Sequence, residues 1–470
     1  MEHILELIHS YLWETSAVFL ILISGIYLSF KTRFIQLRGF KTGLKLAFKK
    51  SEGEGDISSF SSLCTSLAAC IGTGNIAGVA IAVSTGGAGA AFWMMISAFF
   101  GMATKYAEGF LGLKYREKRE DGFLGGPFLY IEKGLGRRFR PLSLIFAFFG
   151  MAAGLIGIGG IAQINTVALS LESFLSPQKT PLFEGFPYSS ALIICGLLIS
   201  LISSFALLGG IKRIAAISSL LVPIMSIAFV FCSVLIIFCN LRRLGDALTE
   251  IISSAFSLRA GSGAMLGICI KEGIGRGVFS NEAGIGTSSI SAAASKENEP
   301  AKAGLIAMTG AFIDTILLCS LTALAIVLTN SHKAAGLEGA AITTLAFEKG
   351  LPFPAEISAF ILNLCLFFFG FTSVLGWSLY ALKCAEYLLN GNKRGLKIYK
   401  FLYILALFSA PYLSLKLAWA LADICNAFLC LPNLIALWAL SGKLKKETDS
   451  FFGRNAQISA CFRENKQKKY

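Results

Sequence analysis

Two apolar stretches of membrane length carry glycine- and asparagine-bearing turns at their midpoints. The stretch 57–84 is interrupted by Gly72-Thr73-Gly74-Asn75. The stretch 261–295 is interrupted by Gly275-Arg276-Gly277-Val278-Phe279-Ser280-Asn281-Glu282-Ala283-Gly284. A helix split in mid-membrane exposes two ends. The half starting at Gly74 and Asn75 presents free N–H groups and the positive end of the helix dipole, suited to a carboxylate. The half ending near Cys70 and Ile71 presents free carbonyls, suited to an ammonium group or a sodium ion. The second stretch repeats the arrangement around Gly277 and Asn281 in inverted orientation. Glycine lets the backbone turn sharply and approach a ligand closely. The two turns together can hold a zwitterion and a co-bound cation without a buried charged side chain. Gly72 and Gly277 lie 205 residues apart, close to half of the 470-residue chain. Interrupted hydrophobic segments at matching positions of two halves point to the binding site of a secondary transporter. The competing explanation is close helix packing, as Gly150 and Gly154 suggest at their Gly-x-x-x-Gly spacing. Two matched breaks, each with an asparagine, favour the ligand site.

Other residues carry chemistry of their own. Asp314 falls about eleven residues into an apolar run, roughly 16 Å deep at 1.5 Å per residue. It is either a functional group or a structural carboxylate. Lys105 and Glu108, three residues apart on one helix face, predict an intrahelical ion pair. Glu282 is placed to cap the helix after the break or to take part in a gate. Arg276 is placed to latch a carboxylate across a vestibule. Trp377, four residues after Ser373 and on the same face, is read as a pocket wall limiting the substrate side chain to a hydrogen or methyl group. The three histidines (His3, His9, His332) lie outside the apolar runs, and the twelve cysteines include no Cys-x-x-Cys pair. Most cysteines lie in apolar runs as small hydrophobes. These facts argue against zinc, redox or His-based acid–base chemistry, and so against an enzyme. No continuous polar ring or filter repeat suggests a channel.

The elements that must hold these residues are membrane helices. The chain is 55% hydrophobic and 15% charged, with a mean hydropathy of +0.68, too apolar for a soluble domain of this size. Eleven spans are predicted, roughly 14–30, 57–84, 87–113, 141–171, 187–208, 214–240, 262–294, 303–330, 355–382, 401–414 and 417–442. With the N-terminus outside, the inside loops hold 32 of the 42 Lys and Arg and the outside loops about seven. That bias predicts N-terminus out and C-terminus in, and it accounts for the formal charge of +14 without nucleic-acid binding. No basic n-region or small-residue cleavage site marks a signal peptide, so the first apolar run is expected to remain as a helix.

The order of spans predicts an internal repeat. Residues 1–56 form a lone first helix and basic linker. Residues 57–240 and 262–442 form two five-helix sets, each opening with an interrupted helix. An odd number of spans per set makes the second inverted relative to the first. Residues 241–261 form an interfacial amphipathic linker, and 443–470 a basic, poorly ordered cytoplasmic tail. The expected fold is an all-α polytopic membrane protein.

The stretch GTGNIAGVAIAVSTGGAGAAFWMMISAFFGMATKYAEGFLGLKYRE from Gly72, then DGFLGGPFLYIEKGLG up to Gly136, resembles the alanine/glycine:cation symporters. So do GRGVFSNEAGIGTSS at 275–289, FIDT at 312–315 and FTSVLGW at 371–377. The resemblance covers about residues 57–442. It implies a five-plus-five inverted-repeat, LeuT-like fold preceded by one extra helix. It also implies sodium-coupled import of alanine or glycine across the cytoplasmic (inner) membrane. It places Thr73, Gly74, Asn75, Gln163, Gly277, Phe279, Ser280, Asn281, Ser373 and Trp377 at the substrate. By analogy with the wider fold, it places carbonyls near Ala68 and Ile71 with hydroxyls of Thr372 and Ser373 at a sodium ion. No organic cofactor is implied. The partners are a small neutral amino acid and the lipid bilayer, and a monomer is compatible with the sequence. The chain departs from the family's usual pattern at Gly160, where asparagine is common, and after Trp377, where Ser-Leu-Tyr-Ala-Leu-Lys replaces a second aromatic and Gly-Glu. Proton coupling through Asp314 is the alternative within the same fold.

Overall fold

The computed structural model describes residues 10–51, 53–120, 122–176, 188–257 and 263–467. His3, His9, Lys179, Arg259 and the linker boundary at 261 lie outside them. The described chain is helical apart from one small hairpin, Glu117–Arg119 paired antiparallel with Gly122–Leu124. The helices are α1 (Val18–Lys31), α2 (Phe40–Phe48), α3 (Ser59–Cys70), α4 (Ala77–Gly86), α5 (Ala90–Lys114), α6 (Pro127–Leu135), α7 (Arg140–Ile156), α8 (Ile161–Leu175), α9 (Ser190–Leu208), α10 (Gly210–Cys239), α11 (Leu244–Ala255), α12 (Gly263–Asn281), α13 (Ser288–Ala294), α14 (Pro300–Ala311), α15 (Ser320–Leu328), α16 (Ala340–Gly350), α17 (Ala355–Leu388), α18 (Lys393–Ser409) and α19 (Leu415–Gln467).

Among the described residues six helices are long and apolar enough to cross a membrane. They are Arg137–Leu175, Ser190–Leu208, Gly210–Cys239, Pro300–Leu328, Ala355–Leu388 and Leu417–Arg454. The pair Ser59–Cys70 and Thr73–Gly86, bent by 62°, makes a seventh if taken as one span. Their outward faces are apolar: Phe205, Phe231, Phe238 and Ile227 are all well exposed. That is the pattern of helices whose solvent is lipid. The interior is packed through small residues. A Cβ at Gly376 of α17 would lie 2.6 Å from Ala69 N of α3, and one at Gly370 would lie 2.5 Å from Val167 of α8. The backbones approach only because these side chains are hydrogens.

Three expectations need correction. The second break does not begin at Gly275. Helix α12 runs on to Asn281, and the turn falls at 282–287. A Cβ at Gly277 would sit 2.4 Å from Ser97 Oγ and 3.1 Å from Met94, so Gly277 admits helix α5 and serves packing. The expected span 141–171 is itself broken at Gly157-Ile158-Gly159-Gly160, between α7 and α8. There a Cβ at Gly159 would lie 2.5 Å from Trp377 Cβ. Residues 443–467 do not form a loose tail: α19 continues to Gln467, and Leu444, Thr448 and Phe451 are buried. Tyr106 and Thr448 share a hydrogen bond of 2.7 Å, and Arg33 and Arg38 both approach Asp449.

The linker helix α11 buries Ala247, Ile251 and Ala255 while exposing Leu248 and Ile252. Such apolar character on the outward face suits the membrane boundary. Trp93 donates its indole N–H to Ala255 O at 3.0 Å and closes the last turn.

Candidate functional site

Helix α3 stops because Gly72 adopts an extended conformation (φ −136°, ψ −157°), and one tight turn, Thr73–Asn75, leads into α4. The turn is stabilised internally: Gly72 N–H donates to Asn75 Oδ1 at 3.1 Å. Asn75 Nδ2 then donates to the side chain and the carbonyl of Asp314, at 2.9 and 3.1 Å. Thr73 N–H donates to Gln163 Oε1 at 2.9 Å. Ser373 Oγ donates to Ala69 O at 2.9 Å, at the carbonyl end of α3. Gly72 lies so close to Gln163 and Ser373 that a Cβ there would be 2.8 Å from Gln163 Oε1 and 3.1 Å from Ser373 Oγ. A Cβ at Gly74 would meet Phe279 at 3.4 Å and Ser280 Cα at 3.8 Å, with nothing nearer. Thr73 Oγ1 is fully buried and has no hydrogen-bond partner among the described residues.

Gln163 reaches Thr73 because α8 restarts after the 157–160 break, at Ile161, two residues before it. Tyr403 holds that break by donating its hydroxyl to Gly159 O at 2.8 Å. The break sits inside a span whose Gly-x-Gly-Gly sequence carried the signal, although hydropathy alone reads through it.

Phe279 stacks on Trp419 of α19, with centroids 4.7 Å apart and planes at 22°. Trp419 also lies against Gly78 of α4, where a Cβ would be 3.5 Å from its ring. Arg276 lies above the Trp419 ring at 4.9 Å, with Asp423 and Glu272 each 3.9 Å away. A column of Arg276, Trp419 and Phe279 therefore covers Gly74. The sequence reading did not single out Trp419. Trp377 instead lies beneath the second break, where its indole N–H donates to Glu282 Oε1 at 2.6 Å.

The second break is built differently. Glu282, Gly284 and Gly286 have φ of +56°, +89° and +96°. Glu108 Oε1 accepts from Gly284 N, Gly286 N and Asn433 Nδ2 at 2.8, 3.1 and 3.0 Å, and its Oε2 accepts from Ser288 Oγ at 2.6 Å. Asn433 also donates to Gly284 O at 2.8 Å. Glu282 accepts from Thr287 Oγ1 at 2.6 Å as well as from Trp377, so it spans the turn from inside. The expected Lys105–Glu108 ion pair does not form, because Glu108 is fully engaged by the turn. The buried Lys105 Nζ instead contacts Cys70 Sγ at 3.5 Å.

Asp314 joins the two breaks. It lies in a π-helical stretch, Phe312–Cys319, between α14 and α15. The extra residue in that turn re-aims side chains, a recurrent device at functional sites. Asp314 Oδ2 accepts from Ser280 Oγ and Thr315 Oγ1, both at 2.7 Å, while Oδ1 accepts from Asn75. Asn281 donates to Thr315 Oγ1 at 3.2 Å. Thus Thr73, Gly74, Gln163, Ser373 and Phe279 face one another. Asn75, Ser280 and Asn281 instead converge on Asp314 and Thr315. Thr372 Oγ1 donates to its own helix at Phe368 O, 2.9 Å, so only Ser373 of that pair is turned towards α3. Ala68 and Ile71 are buried in the last turn and at the cap of α3.

The far ends of the two broken segments are tied together. Ile57 pairs with Ser295, and Arg116 donates to the carbonyls of Glu54, Ala293, Ser295 and Glu297 at 2.7–3.0 Å. Burial pulls the Arg116 guanidinium below its usual range, against the opposing pull of Asp56, Glu54 and Glu297.

Comparison with known proteins agrees with this architecture. A profile of the sodium:alanine symporter family matches residues 1–464. An uncharacterized transporter of Haemophilus influenzae is 42% identical over 460 residues, covering 97% of each chain. A sodium/alanine symporter, AgcS, of Methanococcus maripaludis is 40% identical over 453 residues, covering 94% of this chain and 96% of its own. A probable sodium/glutamine symporter, GlnT, of Bacillus subtilis is 31% identical, covering 94% and 88%. The crystal structure of MhsT in complex with L-phenylalanine superposes with a TM-score of 0.55 at 14% identity, covering 83% of this chain and 90% of that one, which is a likeness of fold.

Proposed function

The chain belongs to the sodium:alanine symporter family, an amino-acid transporter family of integral membrane proteins, and from that membership we propose that it imports a small neutral amino acid, alanine or glycine, coupled to sodium by alternating access. The observation that carries the proposal is the unpartnered, buried Thr73 hydroxyl beside Gly74, enclosed by Gln163, Ser373 and Phe279. The substrate carboxylate takes the Gly74 N–H, with Thr73 Oγ1 donating to it; the Asn75 N–H, expected to join them, is instead spent within the turn on Gly72 O at 3.2 Å. The ammonium faces backbone carbonyls at the end of α12, ahead of the second break. Phe279 backed by Trp419 closes the space a longer side chain would need, and the Arg276–Asp423 pair lies over it as an outer latch.

Sodium is a second substrate. The carbonyls of Ala68 and Ile71 with the hydroxyls of Ser373 and Thr372 form a hard-oxygen donor set that suits an alkali cation. Ser373 already spans from α17 to the carbonyl end of α3. Thr372 must rotate its hydroxyl away from Phe368 O to join. In this reading the chain has eleven spans, with two inverted five-helix repeats at 57–240 and 262–442, the N-terminus outside and the C-terminus inside the cytoplasmic membrane. Asp314 is structural: it only accepts, from three side-chain donors, and has no need of a transported proton.

The test is uptake of labelled alanine and glycine into proteoliposomes with an imposed sodium or proton gradient. Competition by serine, glutamine, leucine and glutamate is measured in the same vesicles. Accumulation driven by sodium and competed only by the smallest amino acids supports the proposal. Accumulation that follows the proton gradient and disappears in Asp314→Asn moves the coupling to the proton. Leucine or glutamine competing as well as alanine defeats the small pocket.

A further inference from the structure

A cavity of about 710 Å³ lies away from both breaks, at the corner where the Glu117–Arg119 strand, α6, the start of α7 and the end of α17 meet. Four cationic side chains line it, Arg119, Lys133, Arg137 and Arg140, against two carboxylates, Glu117 and Glu132. The charges do not cancel. Glu117 is taken by Arg119 and Lys133, each at 2.7 Å. Both cations pull its carboxyl below the usual carboxylate range, overriding a burial effect that raises it. Glu132 accepts the Tyr387 hydroxyl at 2.5 Å and meets Arg140 only loosely, at 3.9 Å. The Arg137 side chain has no partner among the described residues.

The cavity is also amphipathic. Its edge includes Leu144 of α7, and the next turn of the same face presents Phe148; the two are 40% and 53% exposed. Arg137 begins the membrane-length segment Arg137–Leu175. The basic groups therefore sit at the end of a membrane-length segment, and the apolar stripe runs from them along the exposed side of α7. Basic pockets between helices at the membrane surface hold anionic headgroups, and an apolar track leading away from the charge distinguishes a lipid from a soluble anion.

We propose that this cavity binds an anionic phospholipid. The phosphodiester lies between Arg137 and Arg140, one acyl chain follows Leu144 and Phe148, and the lipid fixes the α6–α7 corner against α17. The proposal rests on membrane embedding alone and is independent of the transported substrate.

The experiment uses the purified full-length protein, delipidated in detergent and titrated with phosphatidylglycerol or phosphatidylcholine, with bound lipid read by native mass spectrometry. The variants are Arg137→Gln/Arg140→Gln and Arg137→Lys/Arg140→Lys. A control, Arg242→Gln/Arg243→Gln, loses the same charge at an exposed turn elsewhere. The wild type and the control should prefer phosphatidylglycerol. The glutamine pair should bind it on the order of tenfold more weakly, and the lysine pair should recover most of that loss. Equal retention by the glutamine pair, or an equal loss in the control, overturns the site. Displacement of the lipid by inorganic phosphate alone also overturns it, since that is the behaviour of a free-anion site. Should the glutamine pair not fold, salt titration of the wild type decides. Retention of phosphatidylglycerol that weakens as salt rises supports the charge contact, and retention that does not change refutes it.

Discussion

The two broken segments solve one problem by opposite means. At 71–76 the backbone breaks without any left-handed residue, and its freed groups are met by neutral side chains, Gln163 and Asn75. At 282–287 three residues are left-handed, and a buried carboxylate, Glu108, gathers two backbone amides, a hydroxyl and an amide side chain. A neutral acceptor on one N–H can be exchanged for a ligand at small cost, because each such bond is worth about 1 kcal/mol net. A buried carboxylate with four donors cannot be removed without leaving all four unpaired. The second break is thus a fixed frame, and the first is the part left adaptable for a ligand.

The strongest test of that contrast is Glu108→Ala. Bonds to a charged group are worth about 1.5–3 kcal/mol each, so the loss should reach about 4 kcal/mol or more. The readout is a sharp fall in monodisperse yield and in unfolding temperature in detergent. Glu108→Gln keeps one acceptor oxygen and should fall between. A Glu108→Ala protein as stable as wild type would remove the frame from the account.

Next in size is a pair of identical changes at the two breaks. Gly286→Ala forces a side chain onto a φ of +96° and places it 2.6 Å from Pro127 Cγ, costing about 2–3 kcal/mol. Gly74→Ala meets Phe279 at 3.4 Å and Ser280 Cα at 3.8 Å, with nothing nearer. It should hold stability within about 1 kcal/mol while reducing alanine uptake severely, because the methyl group takes the space of the carboxylate. Thermal unfolding and uptake measured on both proteins separate the two. Equal destabilisation would mean that the breaks do not differ in kind.

What the sequence disclosed follows the same division. Apolar run lengths and the Gly72–Asn75 turn were legible, because a short polar insertion in a hydrophobic stretch is a local signal. The position of the second break was not. Its motif is rich in glycine from Gly275 onward, and nothing local says that Gly277 is there to admit Ser97 and Met94 while the left-handed turn waits until Glu282. The 157–160 break was hidden by its own hydropathy. Glu108 was visible as an ionisable group but was paired with Lys105 by spacing, since its real partners lie 176–180 residues away in the turn and 325 away at Asn433. Trp419 could not be placed over Phe279 without knowing how α19 packs. Gly277→Ala tests the packing role directly. The change should destabilise by about 1–2 kcal/mol through overlap with helix α5. Ser97→Gly in the same protein should return part of that loss, as only a steric contact would.

The smallest expected change in stability, and the most telling about the first break, belongs to Gln163→Ala. It removes the acceptor of Thr73 N–H, a neutral bond worth about 1 kcal/mol, and it vacates the space beside Gly72. If Gln163 holds the turn ready and contacts the substrate, unfolding temperature should move little while the half-saturation for alanine rises on the order of tenfold, the equivalent of about 1.4 kcal/mol. Gln163→Glu keeps an acceptor for Thr73 but buries a charge with no cation beside it, so it should lose stability as well as alanine binding. The alanine variant by itself distinguishes turn support from ligand contact, because only ligand contact raises the half-saturation while the unfolding temperature holds. If Gln163→Ala is instead as destabilising as Gly286→Ala and leaves half-saturation unchanged, the first break is a frame like the second. The adaptable site must then be sought at the Asp314 cluster, where Asn75, Ser280 and Thr315 already converge.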